Sequence, residues 1–352
     1  MSRGLSLVRF AGMTAPDSRE NKSMRRREFI TLLGGAAGAW PLAVRAQQAP
    51  RLRRIGILMP YPPSDAEWQS RVGTLRQELQ RLGWTRGGNI EFDERWTTDN
   101  MDLVRANAAN LVELKPDAIV AIGGRVIPVL MQLTRTVPII NPGSVDPVGQ
   151  GYVESLARPG GNVTGFTQME FSVFGKILNT LKEIAPGTSR VTMIYNPDNP
   201  STAVYRRVFE SFAVPLAVQP MIAPIHNIAD IERAIEALAD QPNGGVFFPP
   251  DLTVTALRDQ VTAIVARHRL PAIYTDRILV ASGGLVSYDA DRTEIFRRAA
   301  SYVDRVLRGE KPGDLPFQQP TKYQLTINLK TARAHGLEIP TSLLAVADEV
   351  IE

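Results

Sequence analysis

The sequence has 352 residues, no cysteine and a formal net charge of +4, from 40 basic and 36 acidic residues. This length exceeds one ordinary core and favours two domains, and the absence of cysteine excludes disulfides, thiol catalysis and zinc–thiolate sites. The three histidines, His226, His268 and His335, are far apart in sequence, which argues against a histidine metal cluster or a Ser-His-Asp triad.

The positive charge is concentrated at the N-terminus. The first 46 residues hold eight basic and three acidic residues, which leaves 32 basic and 33 acidic residues in the remainder. A nucleic-acid-binding protein needs a basic surface to contact phosphates. We therefore expect no nucleic-acid partner.

Residues 24–46 have the pattern of a signal peptide. A basic block precedes an apolar segment, and small residues follow before Gln47. The apolar segment is too short and too rich in glycine for a membrane span, although an uncleaved anchor is an alternative. Arg26 and Arg27 begin a stretch that resembles the twin-arginine export motif. We expect export to the periplasm with cleavage near Ala46, and Met24 is an alternative start that would leave 1–23 as an extra segment.

From residue 52 onward, apolar runs alternate with helical patterns. The first set comprises strands at 55–60, 90–96, 118–122 and 137–140, with helices between them. A second set has helices at 174–184, 228–238, 254–264 and 295–306, and extended segments at 191–195, 245–248, 272–274 and 284–288. This alternation predicts parallel βαβ units. Two such sets without a linker predict a hinged pair of lobes with a cleft between them.

Seven segments carry a resemblance to one family. They are DPVG at 146–149, SLARPGGNVTG at 155–165, NPDNP at 196–200, ASGGLVSY at 281–288, QPTKY at 319–323, NLKTA at 328–332 and ADEVIE at 347–352. Together they resemble the solute-binding proteins of ABC transporters with the type I periplasmic-binding fold. The bacterial branch related to tryptophan- and tyrosine-binding proteins is the most similar.

The resemblance implies an α/β fold of two Rossmann-like lobes with three interlobe crossovers, near residues 167, 288 and 317. Lobe 1 would comprise 52–166 and 289–316, and lobe 2 would comprise 167–288 and 317–352. It also implies a monomer without cofactor, metal or enzymatic activity, and an ABC permease in the inner membrane as partner.

Polar residues follow the predicted strands of the first lobe, where ligands bind in α/β sheets. Gly123 and Gly124 open a helix whose N–H groups can hold a carboxylate, and Arg125 can add a bidentate contact. The alternative is a tight turn with Arg125 in solvent. Ser144 and Asp146 can bond a hydroxyl or ammonium group, or Asp146 can simply cap the next helix.

The second lobe offers equivalent strand ends. The candidates there are Asn196, Asp251, Tyr274 and Asp276. Asp251 or Asp276 can pair with a ligand ammonium group. Tyr61 and Tyr288 can stack on an apolar part of the ligand, or belong to the core or the cavity rim.

The sequence thus predicts an exported receptor that closes two lobes over an amino acid or related carboxylate and delivers it to a permease. A sensor that presents its ligand to a membrane receptor is the alternative. An α/β enzyme is a further alternative, but the paired thiols of a racemase and the dinucleotide fingerprint of a dehydrogenase are missing.

Overall fold

The computed structural model describes residues 51–98 and 100–352, and residues 52–352 belong to one compact unit. The predicted signal peptide, its cleavage site and the twin-arginine motif lie outside the described residues. In the part of the chain that is described, no helix is long and apolar enough to cross a membrane.

The first sheet has five parallel strands in the order β2-β1-β3-β4-β5. Strands β1 to β5 are Arg53–Met59, Ile90–Trp96, Ala118–Ala121, Ile139–Ser144 and Val163–Thr167. Helices α1 to α3, Ala66–Arg81, Met101–Glu113 and Val126–Leu133, connect the first four strands. Asp65 and Asn100 cap α1 and α2 with side-chain oxygens that accept backbone N–H groups.

The second sheet has seven strands in the order β12-β11-β10-β9-β8-β6-β7, all parallel except the antiparallel pair β10–β11. Strands β6 to β12 are Arg190–Tyr195, Gln219–Pro224, Gly244–Phe248, Ala272–Tyr274, Val286–Ala290, Tyr323–Asn328 and Glu349–Ile351. Helices α4 to α12 are Val173–Ile184, Thr202–Ala213, Ile228–Ala239, Leu252–Ala256, Arg258–Arg267, Arg277–Ala281, Arg292–Leu307, Leu329–His335 and Thr341–Val346. Short 3₁₀ turns occupy Val214–Leu216 and Pro312–Asp314.

Two sheets with helices around them confirm the predicted α/β fold of two lobes. Continuous Val, Ile and Ala positions in β1, β3 and β4 are fully buried, as expected of strands covered on both faces. The sequence pattern did not predict every element, and α5 and β7 are among those that the structure adds. Strand β7 contains Pro220 and Pro224 and lies at the sheet edge, where proline is tolerated.

The chain passes between the sheets at three places. It first leaves the first sheet after β5 and enters the second lobe at α4. It returns to the first lobe after β10, since α10 packs on the first sheet. It passes to the second lobe again between Phe317 and β11. The lobe boundaries given above stay a prediction. The passages after β5 and after β10 carry residues that line the space between the lobes, and these residues form its floor.

The segment 155–165 contributes to the fold. Asn162 donates from Nδ2 to the carbonyl oxygen of Val137 (2.8 Å), and Thr164 donates from Oγ1 to that of Leu315 (2.7 Å). Gly165 has φ +152°, and a Cβ there would lie 2.0 Å from the carbonyl oxygen of Asn141. Only glycine allows β4 and β5 to approach this closely.

Candidate functional site

A cavity lies where the carboxyl ends of strands from both sheets meet. It encloses about 840 Å³ of empty space, counting the part open to solvent. The first lobe contributes strand ends of β1, β3 and β4, and the second contributes those of β6, β8 and β9. This placement follows the general rule for ligand sites in open α/β sheets.

Eight of the eleven predicted site residues line this cavity. They are Tyr61, Gly123, Gly124, Arg125, Ser144, Asn196, Asp251 and Asp276. The remaining three, Asp146, Tyr274 and Tyr288, lie elsewhere, and we leave them out of the candidate site.

Each of these three side chains has a structural position instead. Asp146 caps the turn that follows it, and accepts a hydrogen bond from the Gly149 N–H at 2.8 Å. Tyr274 is the last residue of β9, but its ring faces the core of the second lobe and stacks on Phe248 at 5.1 Å. Tyr288 is not at a strand end, because β10 continues to Ala290, and its ring stacks on Tyr323 at 5.8 Å.

The Gly123–Arg125 corner differs from the predicted helix start. Helix α3 begins only at Val126, and Gly123 turns the chain with φ +111°. The Gly123 carbonyl oxygen accepts from the N–H groups of Val126 (3.0 Å) and Ile127 (3.2 Å). The helix end is therefore largely satisfied by its own turn, and Arg125 is a half-buried residue of the cavity wall.

Aromatic rings form one apolar wall. Tyr61 stacks on Trp68 with ring centroids 3.8 Å apart, and the Arg71 guanidinium lies 4.4 Å from the Trp68 ring centroid. Burial raises the pKa of Tyr61, so its phenol is neutral at ordinary pH. Tyr205 of α5 also lines the cavity and donates to the Pro250 carbonyl oxygen at 3.3 Å.

Asp251 is a buried carboxylate on the second-lobe wall. It caps α7, accepting from the Thr253 N–H at 2.8 Å, and it accepts from the Asn196 N–H at 3.1 Å. Burial raises the pKa of Asp251, and these hydrogen bonds offset only part of that effect. Among the described residues no basic side chain forms an ion pair with it.

Asp276 is already neutralised by the protein. Its carboxylate lies 3.1 Å from Arg71 Nη2 and 3.9 Å from Arg292 Nη2. Burial raises the pKa of Asp276, but Arg71 and Arg292 lower it by more, so the net pKa is below its usual range. Of the two acids predicted to bind an ammonium group, only Asp251 is without a cationic partner.

Several polar residues of the cavity were not predicted from the sequence. Arg292 and Gln168 lie on its floor, and Arg292 Nη1 donates to Gln168 Oε1. Gln150 reaches across from the first lobe and donates to Ser201 Oγ of the second lobe at 2.8 Å. The two floor residues, Gln168 and Arg292, could have been predicted from the sequence, because they lie at the predicted crossovers near 167 and 288.

Ion pairs also join the lobes beside the cavity. Asp65, before α1, lies 2.7 Å from Arg258 of α8. Glu67 of α1 lies 3.4 Å from Arg277 of α9. Together with the Arg71–Asp276 pair, these contacts hold the two lobes together around the enclosed space.

The arrangement is that of a binding protein. Within residues 51–98 and 100–352, no cluster of three or more histidine or acidic side chains has the placement of a metal site. The polar residues around the cavity are amides, hydroxyls, the carboxylates of Asp251 and Asp276, and the guanidinium groups of Arg125 and Arg292. Two α/β lobes with a polar cavity at their strand ends are the architecture of the type I periplasmic-binding-protein fold.

Comparisons with known proteins give the family. The family described as ABC transporter substrate binding protein matches residues 63–351, and this chain belongs to it. Its members are solute-binding proteins rather than enzymes, which confirms the expected lack of enzymatic activity. Proteins of this family bind small solutes, generally work with an ABC permease, and typically act outside the cytoplasm.

Individual relatives agree with this assignment. A tyrosine-binding protein of Clostridioides difficile (strain R20291) is 25% identical over 288 residues, which is 81% of each chain. A conserved domain protein from Vibrio cholerae has a TM-score of 0.79 at 25% identity, covering 85% of this chain and 100% of the other. An ABC domain from Streptococcus pneumonia, solved in complex with L-Trp, has the same TM-score and coverages at 22% identity, and shows the shared fold.

Proposed function

We propose that this protein is the exported receptor of an ABC importer and binds an amino acid or related carboxylate by closing its two lobes. It then delivers the solute to an inner-membrane permease. The observation that carries the proposal is the cavity itself, which is built from the strand ends of both lobes. A solute in that position contacts both lobes at once, and so stabilises the arrangement in which they touch.

The polar groups of the cavity suit an amino acid. Asp251 presents a buried negative charge without a cationic partner among the described residues, and an ammonium group is the natural complement to such a charge. Tyr61 and Tyr205 supply apolar surface for a side chain. The relatives named above, one called tyrosine-binding and one solved with L-Trp, support the same ligand class.

Contacts between the lobes support closure as the binding motion. The Gln150–Ser201 hydrogen bond and the Asp65–Arg258 pair both span the cleft. Neither contact is needed for the core of either lobe, so both can break when the lobes separate. We also propose the lobe division at 52–166 with 289–316, and 167–288 with 317–352, and a monomeric receptor.

The leader supports export. Residues 24–46 combine a basic block, a short apolar segment and small residues before Gln47. We propose periplasmic localisation through the twin-arginine route, with cleavage near Ala46. Fusion of residues 1–46 to a reporter that is exported only when folded would test this route, and replacement of Arg26 and Arg27 by lysine should abolish export.

The binding proposal is tested with the chain from Gln47 onward. We expect at least one of the twenty L-amino acids or a set of aromatic carboxylates to raise its melting temperature, because a ligand of the folded state stabilises by mass action. Calorimetry then gives Kd for the wild type and for Asp251→Asn, which keeps hydrogen-bonding groups but removes the charge. We expect the variant to bind an amino acid about 30-fold more weakly.

The matched control is Asp198→Asn. Asp198 lies on an exposed turn outside the cavity, 3.8 Å from His226, and its removal should leave Kd unchanged. Wild-type affinity in Asp251→Asn would remove this residue from the ligand site. Absence of any shift across the whole ligand set would remove the receptor proposal.

A further inference from the structure

We propose that Arg292 binds the carboxylate of the solute, so that the receptor selects anionic carboxylates over their uncharged amides. The inference deepens the proposed function and rests on it. It names the residue that recognises the acid group and places this group on the cavity floor, at the passage between the lobes.

The geometry of Arg292 suits carboxylate binding. Its side chain lines the cavity although it is only 7% exposed. Nη1 donates to Gln168 Oε1 and Nη2 to the Thr275 carbonyl oxygen at 3.3 Å, which fixes the plane of the guanidinium. Its Nε donates to no described residue. A held guanidinium with free donor capacity is what planar recognition of a carboxylate requires.

The positive charge of Arg292 is not fully balanced by the acids around it. Asp276 is shared by two arginines, but it lies 3.1 Å from Arg71 and 3.9 Å from Arg292. A further acid that interacts with Arg292 is Asp289, which is buried. Burial, with a further effect of Asp276, raises the pKa of Asp289 to about 7, so it neutralises Arg292 only in part. A buried cation without full compensation favours an anionic ligand.

The position of Arg292 in its helix also favours a role in ligand binding. It is the first residue of α10, after the capping residue Asp291. A cation in the first turn opposes the helix dipole, so this placement does not serve the stability of the helix. Arg125 also lines the cavity, but it is more exposed than Arg292 and follows β3 of the first lobe.

The experiment measures Kd for matched acid and amide ligands by calorimetry. The probes are L-tryptophan and L-tryptophanamide, L-tyrosine and L-tyrosinamide, L-leucine and L-leucinamide, and indole-3-propionate and its amide. Wild type should bind the acid of at least one pair at least about 30-fold more tightly than the amide. In Arg292→Gln this preference should fall to within about threefold.

Two further variants keep the test independent of folding. Arg292→Lys retains the charge without the planar fork, and should retain part of the acid preference. Arg297→Gln removes a surface arginine of the same helix, which pairs with Glu294 and does not line the cavity, and should behave as wild type. Melting temperatures without ligand show whether each variant is folded.

The outcomes are distinguishable. Amides that bind as tightly as acids, or an acid preference that survives in Arg292→Gln, would overturn the role of Arg292 while leaving the receptor function intact. Absence of binding by every acid and every amide in wild type would overturn the proposed ligand class, and this inference with it.

Discussion

The Asp65–Arg258 pair offers a direct test of lobe closure. Asp65 Oδ1 caps α1 by accepting from the N–H groups of Glu67 and Trp68, whereas Oδ2 accepts from Arg258 Nη1 at 2.7 Å. Asparagine caps helices about as well as aspartate. Asp65→Asn therefore keeps the cap within the first lobe and removes the ion pair that joins it to the second.

The size of the effect follows from burial. Asp65 is 2% exposed and Arg258 is 25% exposed at the side chain, so the pair lies between a surface and a buried ion pair. Two charges about 4 Å apart attract by about 4 kcal/mol at an effective dielectric constant of about 20. Desolvation and side-chain ordering remove roughly half, which leaves about 2 kcal/mol. If the pair forms only on closure, Kd should rise about 30-fold.

The assay is calorimetry with the tightest ligand found for wild type, alongside small-angle X-ray scattering with and without that ligand. Asp93→Asn is the matched control, because Asp93 pairs with Arg54 at 3.3 Å within the first lobe and does not span the cleft. We expect the Asp65→Asn protein to close at saturating ligand, with a Kd raised well above that of the control. A Kd within threefold of the control would refute the link between this pair and closure.

Two other predictions concern stability. Gly165→Ala should lower the free energy of unfolding by about 3 kcal/mol or more, because its Cβ would overlap the Asn141 carbonyl oxygen. Gly73→Ala in α1 should raise the free energy of unfolding by about 0.5–1 kcal/mol, because the space around a Cβ at this position is open. Both free energies are measured by urea unfolding. If the two substitutions had equal effects, this account would be contradicted. The pKa of Asp289 is raised to about 7 in the folded protein, whereas an unfolded aspartate has a pKa of about 4. Between these two values the unfolded chain releases the proton and the folded protein keeps it. The free energy of unfolding of the wild type should therefore fall as pH rises from about 4 to 7. Asp289→Asn should remove this pH-dependent loss. The difference in free energy of unfolding between the variant and the wild type should therefore change between pH 5 and pH 8, and an unchanged difference would contradict the prediction.

The alternation of apolar strands and amphipathic helices was sufficient to predict the two-lobed α/β fold. The strand ends Ser144, Asn196 and Asp251 followed from it, because parallel strands present their carboxyl ends on one edge. The same rule failed for Tyr274. Side chains alternate between the two faces of a strand, so the last residue of a strand can face the core instead of the cavity. It also failed for Tyr288, because β10 runs two residues beyond it.

The floor of the cavity and the contacts across it were not predictable in this way. Arg71 lies on α1 and Asp276 follows β9, 205 positions later, so their pairing depends on how the lobes meet. The helical pattern places Arg71 next to the apolar position Val72. This pattern does not show that the Arg71 side chain is buried against the other lobe. Local patterns report the faces of elements, whereas these pairs require the tertiary arrangement of both lobes.

The position of the missed residues separates recognition from closure. Arg292 directly follows the passage from β10 to α10, and Gln168 directly follows β5 at another passage. Residues beside a hinge move little when lobes rotate, so a carboxylate bound there would be held in the open arrangement as well as in the closed one. Asp251 lies on the second-lobe wall and the Asp65–Arg258 pair lies beside the cavity, so under the proposed closure both would contribute only when the lobes meet. In this scheme the solute first binds through its carboxylate at Arg292, and its contacts with the walls then stabilise the closed arrangement.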